Sequence, residues 1–227
     1  FRACVDTVPL LERDLARGAG LGRIGKHTLL IEPTKGSWAV LGVLLTTVPF
    51  EMDTPLDEDP CGTCTRCIDA CPTDAIEPWK VDARRCISYL TLEHRSAIPA
   101  ELHEGLGDWL AGCDICQEVC PHNQPTAARA STSHAEAFKP SRQGFDLLVV
   151  LGWTEEDRRA AFQGSALKRV KYDAFKRNAL ILLTNQVCQG DLEAKSTLLE
   201  QLHAIEQNES ASEVLRETAR VCRMRLG

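Results

Sequence analysis

Between Cys61 and Pro121 the chain carries eight of its eleven cysteines, and their spacing restricts the possible folds more than any other feature. The first group reads Cys61-x2-Cys64-x2-Cys67-x3-Cys71-Pro72, the bacterial ferredoxin run for a cubane iron–sulfur cluster. The second, Cys113-x2-Cys116-x3-Cys120-Pro121, supplies three thiolates, and the most economical fourth is Cys86, which stands between the groups. A loop with two-residue spacings wraps three thiolates round one cube, so the fourth comes from elsewhere. In two-cluster ferredoxins the cysteine before each proline ligates the other cluster. That rule assigns one [4Fe-4S] cluster to Cys61, Cys64, Cys67 and Cys120, and another to Cys71, Cys86, Cys113 and Cys116.

Other uses of cysteine fit poorly. Structural zinc prefers paired Cys-x2-Cys knuckles, not three cysteines in succession followed by Cys-Pro. A disulfide framework belongs to short secreted chains, whereas this one has 227 residues, no apolar signal segment and no stretch long enough to span a bilayer. Thiols without export features point to a reducing compartment, the cytoplasm. Two adjacent clusters form an electron wire, fed by a low-potential donor. The net charge of -6 argues against indiscriminate coating of nucleic acid, so any RNA contact is expected at a local basic patch. The chain begins at Phe1 inside a running element and is expected to be the later part of a longer protein.

In chain order, Val8, Leu11, Leu15 and Ala19 form one helical stripe over residues 8–19, with Asp6 and Thr7 as cap candidates. Gly20-Leu-Gly22-Arg-Ile-Gly25-Lys26-His27 resembles both a dinucleotide fingerprint and a P-loop. It fails both: a helix precedes it and a strand-like run follows, and His27 stands where a P-loop needs Ser or Thr. Its glycines either let backbone approach a large flat ligand or make a turn. Residues 38–48, WAVLGVLLTTV, read as a buried strand paired with residues 28–32 across the Pro33–Gly36 turn. Residues 51–60 read as an acidic linker, and residues 121–144 as a surface loop. Cys86 is expected at a helix start. From Phe145 onward, apolar residues at spacings of three and four predict helices over 145–151, 154–163, 175–189, 192–206 and 210–226, suggesting HEAT-like pairs. The run from Lys168 to Arg177 carries five positive charges against one negative and is a phosphate-binding candidate. Cys4, Cys188 and Cys222 read as buried small hydrophobes.

Taken in order, CVDTVPLLERDLARGAGLGRIGKHTLLI, CGTCTRCIDACPTDAI, VDARRCISYLTLEHR, GCDICQEVCPHN and the basic run with Arg-Asn-Ala at 177–179 resemble the epoxyqueuosine reductases over essentially the whole chain. The resemblance implies an α+β protein. Its parts would be a partial cobalamin-binding α/β domain at residues 1–59, a ferredoxin-like domain for two [4Fe-4S] clusters at 60–125, and a helical HEAT-like tRNA-binding region at 126–227. It implies a monomer that binds cobalamin base-off and reduces epoxyqueuosine to queuosine at the tRNA wobble position. By the same resemblance Asp6 is the proton donor and touches the cofactor, while His27, Leu30, Leu41, Ser88, Asp114 and Ile115 contact the corrin. The family uses no protein histidine on cobalt, so His27 is not read as an axial ligand. Arg13 would face the substrate, and Glu93, His94, Trp153, Lys168, Arg169 and Lys171 would face the RNA. By the same resemblance, a further N-terminal portion of the family's cofactor domain is expected to be missing from residues 1–227. A two-cluster ferredoxin carrier and a reductive dehalogenase relative are the competing functions. The carrier has no use for the helical region, and the dehalogenase usually carries an export signal.

Overall fold

The computed structural model describes residues 8–124 and 144–227, so Cys4, Asp6 and most of the predicted 121–144 loop lie outside the described residues. The architecture is helix-rich with few strands. Two compact units divide it, Phe1–Val81 with Ile115–Phe138, and Asp82–Asp114 with Lys139–Gly227.

In the first unit, helix α1 (Glu12–Gly18) leads into an antiparallel hairpin of β1 (Arg23–Ile24) and β2 (Leu30–Ile31), in register Arg23 with Ile31 and Ile24 with Leu30. The glycine stretch therefore makes a hairpin, the turn alternative of the sequence reading. At Gly22 a Cβ would lie 2.5 Å from the Ile31 carbonyl oxygen, so only glycine lets the chain pass. The short helix α2 (Arg66–Asp69) carries Cys67, and the hairpin of β3 (Ile76–Glu77) and β4 (Lys80–Val81) follows the cysteine run.

Two expectations fail in this unit. The stripe Val8, Leu11, Leu15 and Ala19 is exposed, and Ala16 is the residue that α1 buries. Residues 38–48 form no strand, and Val40 and Leu44 are 99% and 82% exposed. A strand needs a neighbour for its N–H and C=O groups. Here Glu32 and Gly36 close a tight turn, and the Ser37 N–H donates to Asn123 Oδ1 at 2.7 Å. That bond draws the chain toward residues 117–123 instead of back along β2, whose partner is β1.

The second unit begins with α3 (Ile87–Leu92), for which Cys86 is the N-cap residue, as expected. Helices α5 (Leu147–Gly152), α6 (Glu155–Ala161), α7 (Tyr172–Cys188), α8 (Lys195–Gln207) and α9 (Glu213–Arg225) follow the predicted pattern; α4 (Ile115–Glu118) belongs to the first unit. Their starts obey local chemistry. The Asp146 carboxylate accepts from the N–H groups of Leu148 and Val149, and Thr154 and Asp157 form a reciprocal capping box. Helix α7 is buried on nearly every face, with Phe175, Ala179, Leu180, Ile181 and Leu182 almost fully enclosed, and it packs against α3, α5, α8 and α9.

One part of the predicted basic run belongs to this core. Arg177 is fully buried, and burial lowers its pKa to about 10. It faces no carboxylate in its hydrogen bonds: Nη1 donates to the carbonyls of His94 (2.9 Å) and Ser96 (2.7 Å), and Nη2 to that of Leu90 (2.5 Å). The carbonyl oxygens past the C-terminal turn of α3 thus solvate the cation. Next to it, Asn178 Nδ2 donates to the carbonyls of Thr91 and Leu110, both at 2.9 Å. Asn178→Ala would leave the buried Thr91 carbonyl and the half-buried Leu110 carbonyl without this donor. It is expected to lower stability by roughly 1–3 kcal/mol, read by chemical denaturation with the iron content unchanged.

Candidate iron–sulfur centre and RNA-facing surface

Residues 25–29, the loop between β1 and β2, carry Lys26 and His27 to the first cysteine loop. The Lys26 N–H donates to Cys61 Sγ at 3.3 Å, and its ammonium donates to the carbonyls of Gly62 (2.7 Å) and Cys64 (3.0 Å). The same ammonium lies 5.6 Å from the centre of the Trp79 ring, and the Lys26 carbonyl accepts from the Trp79 N–H. One buried lysine therefore ties two hairpins to the loop that begins the cysteine run. From the other side the Asp59 carboxylate accepts from the N–H groups of Cys61 (2.8 Å) and Gly62 (3.1 Å).

Cys120 reaches the same place by a separate route. Helix α4 packs against α2. Beyond it, Asn123 Nδ2 donates to Ser37 Oγ and to the Gln117 carbonyl, both at 2.8 Å, and His122 Nε2 donates to the Pro60 carbonyl at 2.7 Å. Cys61, Cys64, Cys67 and Cys120 then line one cavity of about 200 Å³, with His27 and His122 in its wall.

This arrangement fits a polynuclear cluster, because the four thiols surround a volume. Burial, with Cys61 and other cysteines nearby, pushes the thiols of Cys67 and Cys120 up. Thiolates crowded in a desolvated site need cationic iron between them to be stable. His27 is 3% exposed, and its Nε2 is buried with no hydrogen-bond partner. Its Nδ1 accepts from the Leu29 N–H at 3.1 Å, and burial, with His122 nearby, lowers its pKa to about 4.

The other predicted cysteines are placed as follows. Cys71 Sγ accepts from the Ala75 N–H at 3.3 Å, and Cys116 lies in α4, both in the first unit. In the second unit Cys86 opens α3, and Cys113 packs against the apolar core. Cys222 is buried as expected, and Cys188 is exposed, against expectation.

Arg13 Nη1 donates to the Thr28 carbonyl (2.7 Å) and to Thr28 Oγ1 (3.1 Å), a residue held at φ 68°. Of the positions expected at the corrin, Leu30 is buried in the first unit, Leu41 is half-buried in a segment without regular structure, and Ser88, Asp114 and Ile115 are half-buried. The cavity that His27 lines is walled by cysteines, prolines, Arg66 and His122, not by Leu30 or Leu41.

In the second unit the expected RNA-facing residues gather around one corner. Arg169 pairs with Glu93, while Lys168 and Lys171 are exposed beside it. The turn that presents them is held from below by Arg158, whose Nη1 donates to the carbonyls of Lys168 (3.2 Å) and Val170 (2.9 Å) while Glu155 takes the rest of its guanidinium. His94 Nε2 lies 2.9 Å from Ser96 Oγ. Trp153 is half-buried, stacked on Phe175 at 5.7 Å, and its carbonyl accepts from Tyr172 Oη.

Sequence reading had no role for Lys26, His122, Asn123, Arg158 or Asn178. Lys26 carried a signal, the lysine of the P-loop near-match, but its ligands prove to be carbonyls of the cysteine loop. As a test of the four-thiol cavity, Cys120→Ser is expected to reduce anaerobically reconstituted iron from about eight to about four per chain. Undiminished iron would remove Cys120 from this set.

A 4Fe-4S double cluster binding domain matches residues 60–123. The chain is 45% identical over 181 residues to an epoxyqueuosine reductase of Synechococcus sp. (strain CC9605), covering 79% of this chain and 56% of that protein. It is 38% identical over 235 residues to the epoxyqueuosine reductase of Vibrio cholerae, covering 99% of this chain and 63% of that one. Among solved structures, an epoxyqueuosine reductase with an epoxyqueuosine-modified tRNA-Tyr stem loop superposes with a TM-score of 0.76 at 30% identity, covering 100% of this chain and 57% of that chain. The chain thus spans little more than half the length of the relatives it matches. By sequence and by fold, it belongs to the epoxyqueuosine reductase family.

Proposed function

We propose that this chain carries the electron-relay and RNA-facing parts of an epoxyqueuosine reductase, which reduces the epoxide on a tRNA wobble nucleoside to the alkene of queuosine. The observation that carries the reading is the cavity lined by Cys61, Cys64, Cys67 and Cys120, in a chain aligned over 99% of its length with a reductase of that name. A ferredoxin carrier would need little beyond residues 60–123, whereas the alignment continues through the helical region.

The reaction balances as epoxide plus two electrons and two protons giving alkene and water. Bound iron–sulfur clusters supply one-electron carriers, so a low-potential donor delivers the pair in two steps. The second set, Cys71, Cys86, Cys113 and Cys116, rests on spacing. Cobalamin is implied by the family resemblance, with His27, Leu30, Leu41, Ser88, Asp114 and Ile115 proposed to contact it, and no step is routed through it. Asp6, outside the described residues, is the proposed proton donor for the departing oxygen. Residues 1–59, 60–125 and 126–227 would serve as the cofactor-facing, ferredoxin-like and HEAT-like tRNA-binding parts of a cytoplasmic enzyme. No helix among the described residues is long and apolar enough to cross a membrane.

The chain's own contribution to RNA binding is the corner of Lys168, Arg169 and Lys171. Its cations would hold phosphates and fix the register without reading bases, while the target nucleoside leaves its stack to react. Arg169 is shared with Glu93, so phosphate binding there competes with an ion pair.

Two substitutions in the full-length enzyme test these roles. Asp6→Asn is expected to keep both clusters and abolish the conversion of epoxyqueuosine-tRNA to queuosine-tRNA, followed by nucleoside mass spectrometry. Normal turnover would remove Asp6 from its role. Lys168→Glu with Arg169→Glu is expected to weaken tRNA binding at least tenfold at low salt and to flatten its salt dependence. Unchanged affinity would place the RNA elsewhere.

A further inference from the structure

The loop that connects β1 and β2 does more than brace the cysteine run. Its Lys26 N–H already points at Cys61 Sγ, at 3.3 Å. The next residue, His27, is 3% exposed and lines the cavity bounded by Cys61, Cys64, Cys67 and Cys120. An imidazole nitrogen that accepts a hydrogen bond carries no proton. Because His27 Nδ1 accepts from the Leu29 N–H, the ring proton sits on Nε2. That Nε2–H is buried without an oxygen or nitrogen acceptor, a costly state for a donor in a close-packed site. Pro60, Pro121, Arg66 and His122 share the wall and leave Nε2 unpartnered, and the rest of the wall is cysteine sulfur, the acceptor that a bound cluster would place there.

We propose that His27 donates its Nε2–H to a sulfur of the cluster held by Cys61, Cys64, Cys67 and Cys120, and so sets that cluster's reduction potential. A hydrogen bond to sulfur is stronger when the cluster carries the extra electron, so it stabilises the reduced form and raises the potential. His27 is thereby a positioning and tuning residue for electron flow, where family resemblance alone would have placed it against the corrin. Gly25 belongs to the same device: a Cβ there would lie 2.6 Å from the Ile31 side chain and 3.1 Å from the His27 ring, so the glycine leaves room for the imidazole.

This inference rests on the four-cysteine cluster proposed above, and the experiment separates the two. The full-length protein, reconstituted anaerobically from cells fed 15N-histidine, is reduced stepwise and followed by EPR and by hyperfine spectroscopy of each reduced cluster. Wild type is expected to show a 15N coupling on one cluster. His27→Phe should lose it and shift that cluster's midpoint to lower potential, leaving the other cluster's midpoint in place. His27→Gln, which restores an N–H donor, should recover most of the shift. No 15N coupling in the wild type, a coupling that survives in His27→Phe, or equal shifts in both clusters would each overturn the proposal while leaving the cluster intact. If Cys120→Ser leaves all EPR signals unchanged, the cluster reading itself fails. The wild-type hyperfine result decides the matter even if His27→Phe does not fold.

Discussion

The first unit depends on bringing four thiols from two separate parts of the chain round one small cavity. Its apolar core is slight: among the described residues Ala16, Leu30, Ile31, Ala75 and Ile76 are its buried aliphatic side chains, joined by Cys67 and Cys120. So little buried surface supports a fold poorly by itself, and thiols forced together by burial resist ionising. Iron resolves both problems at once, because metal–thiolate bonds replace the missing core and neutralise the crowded charge.

Everything around the cavity is arranged to hold that geometry with backbone and a few polar side chains. Lys26 joins the two hairpins to the first cysteine loop, Asp59 fixes the loop's entry, and Ser37, Gln117 and Asn123 anchor the stretch that ends in Cys120. The second unit uses the opposite strategy. Its helices bury a large apolar core around α7, and the polar groups inside it, Arg177, Asn178 and Asn185, each hold loop carbonyls between α3 and the turns that follow. The four-thiol cavity thus lies in the first unit, and a core-supported surface with exposed cations in the second.

The cysteine spacing made the four-thiol set legible, because a cubane imposes distances that short loops meet in few ways. The helices after Phe145 were legible too, since their apolar period and their Asp146, Thr154 and Ser212 caps agree. The apolar run at 38–48 misled because periodicity reports a wish for burial without naming a partner, and its backbone is drawn away by Asn123. Arg177 misled for a related reason. Charge reads as surface in a sequence, yet this cation is buried and, like Lys26, solvated by carbonyl oxygens that no linear pattern reveals. Asp6 and Arg13 differ again: their expected roles come from family resemblance, and the described structure gives Arg13 a partner in Thr28.

On this reading the cluster, and not an apolar core, holds the first unit together. Hydrogen exchange on the full-length holoprotein, before and after anaerobic removal of iron, tests it most directly. Amides in residues 25–31, 61–77 and 117–123 are expected to lose protection together while those of α7 keep theirs. Retained protection in all three segments without iron would show that the chain builds the site unaided, and would contradict it.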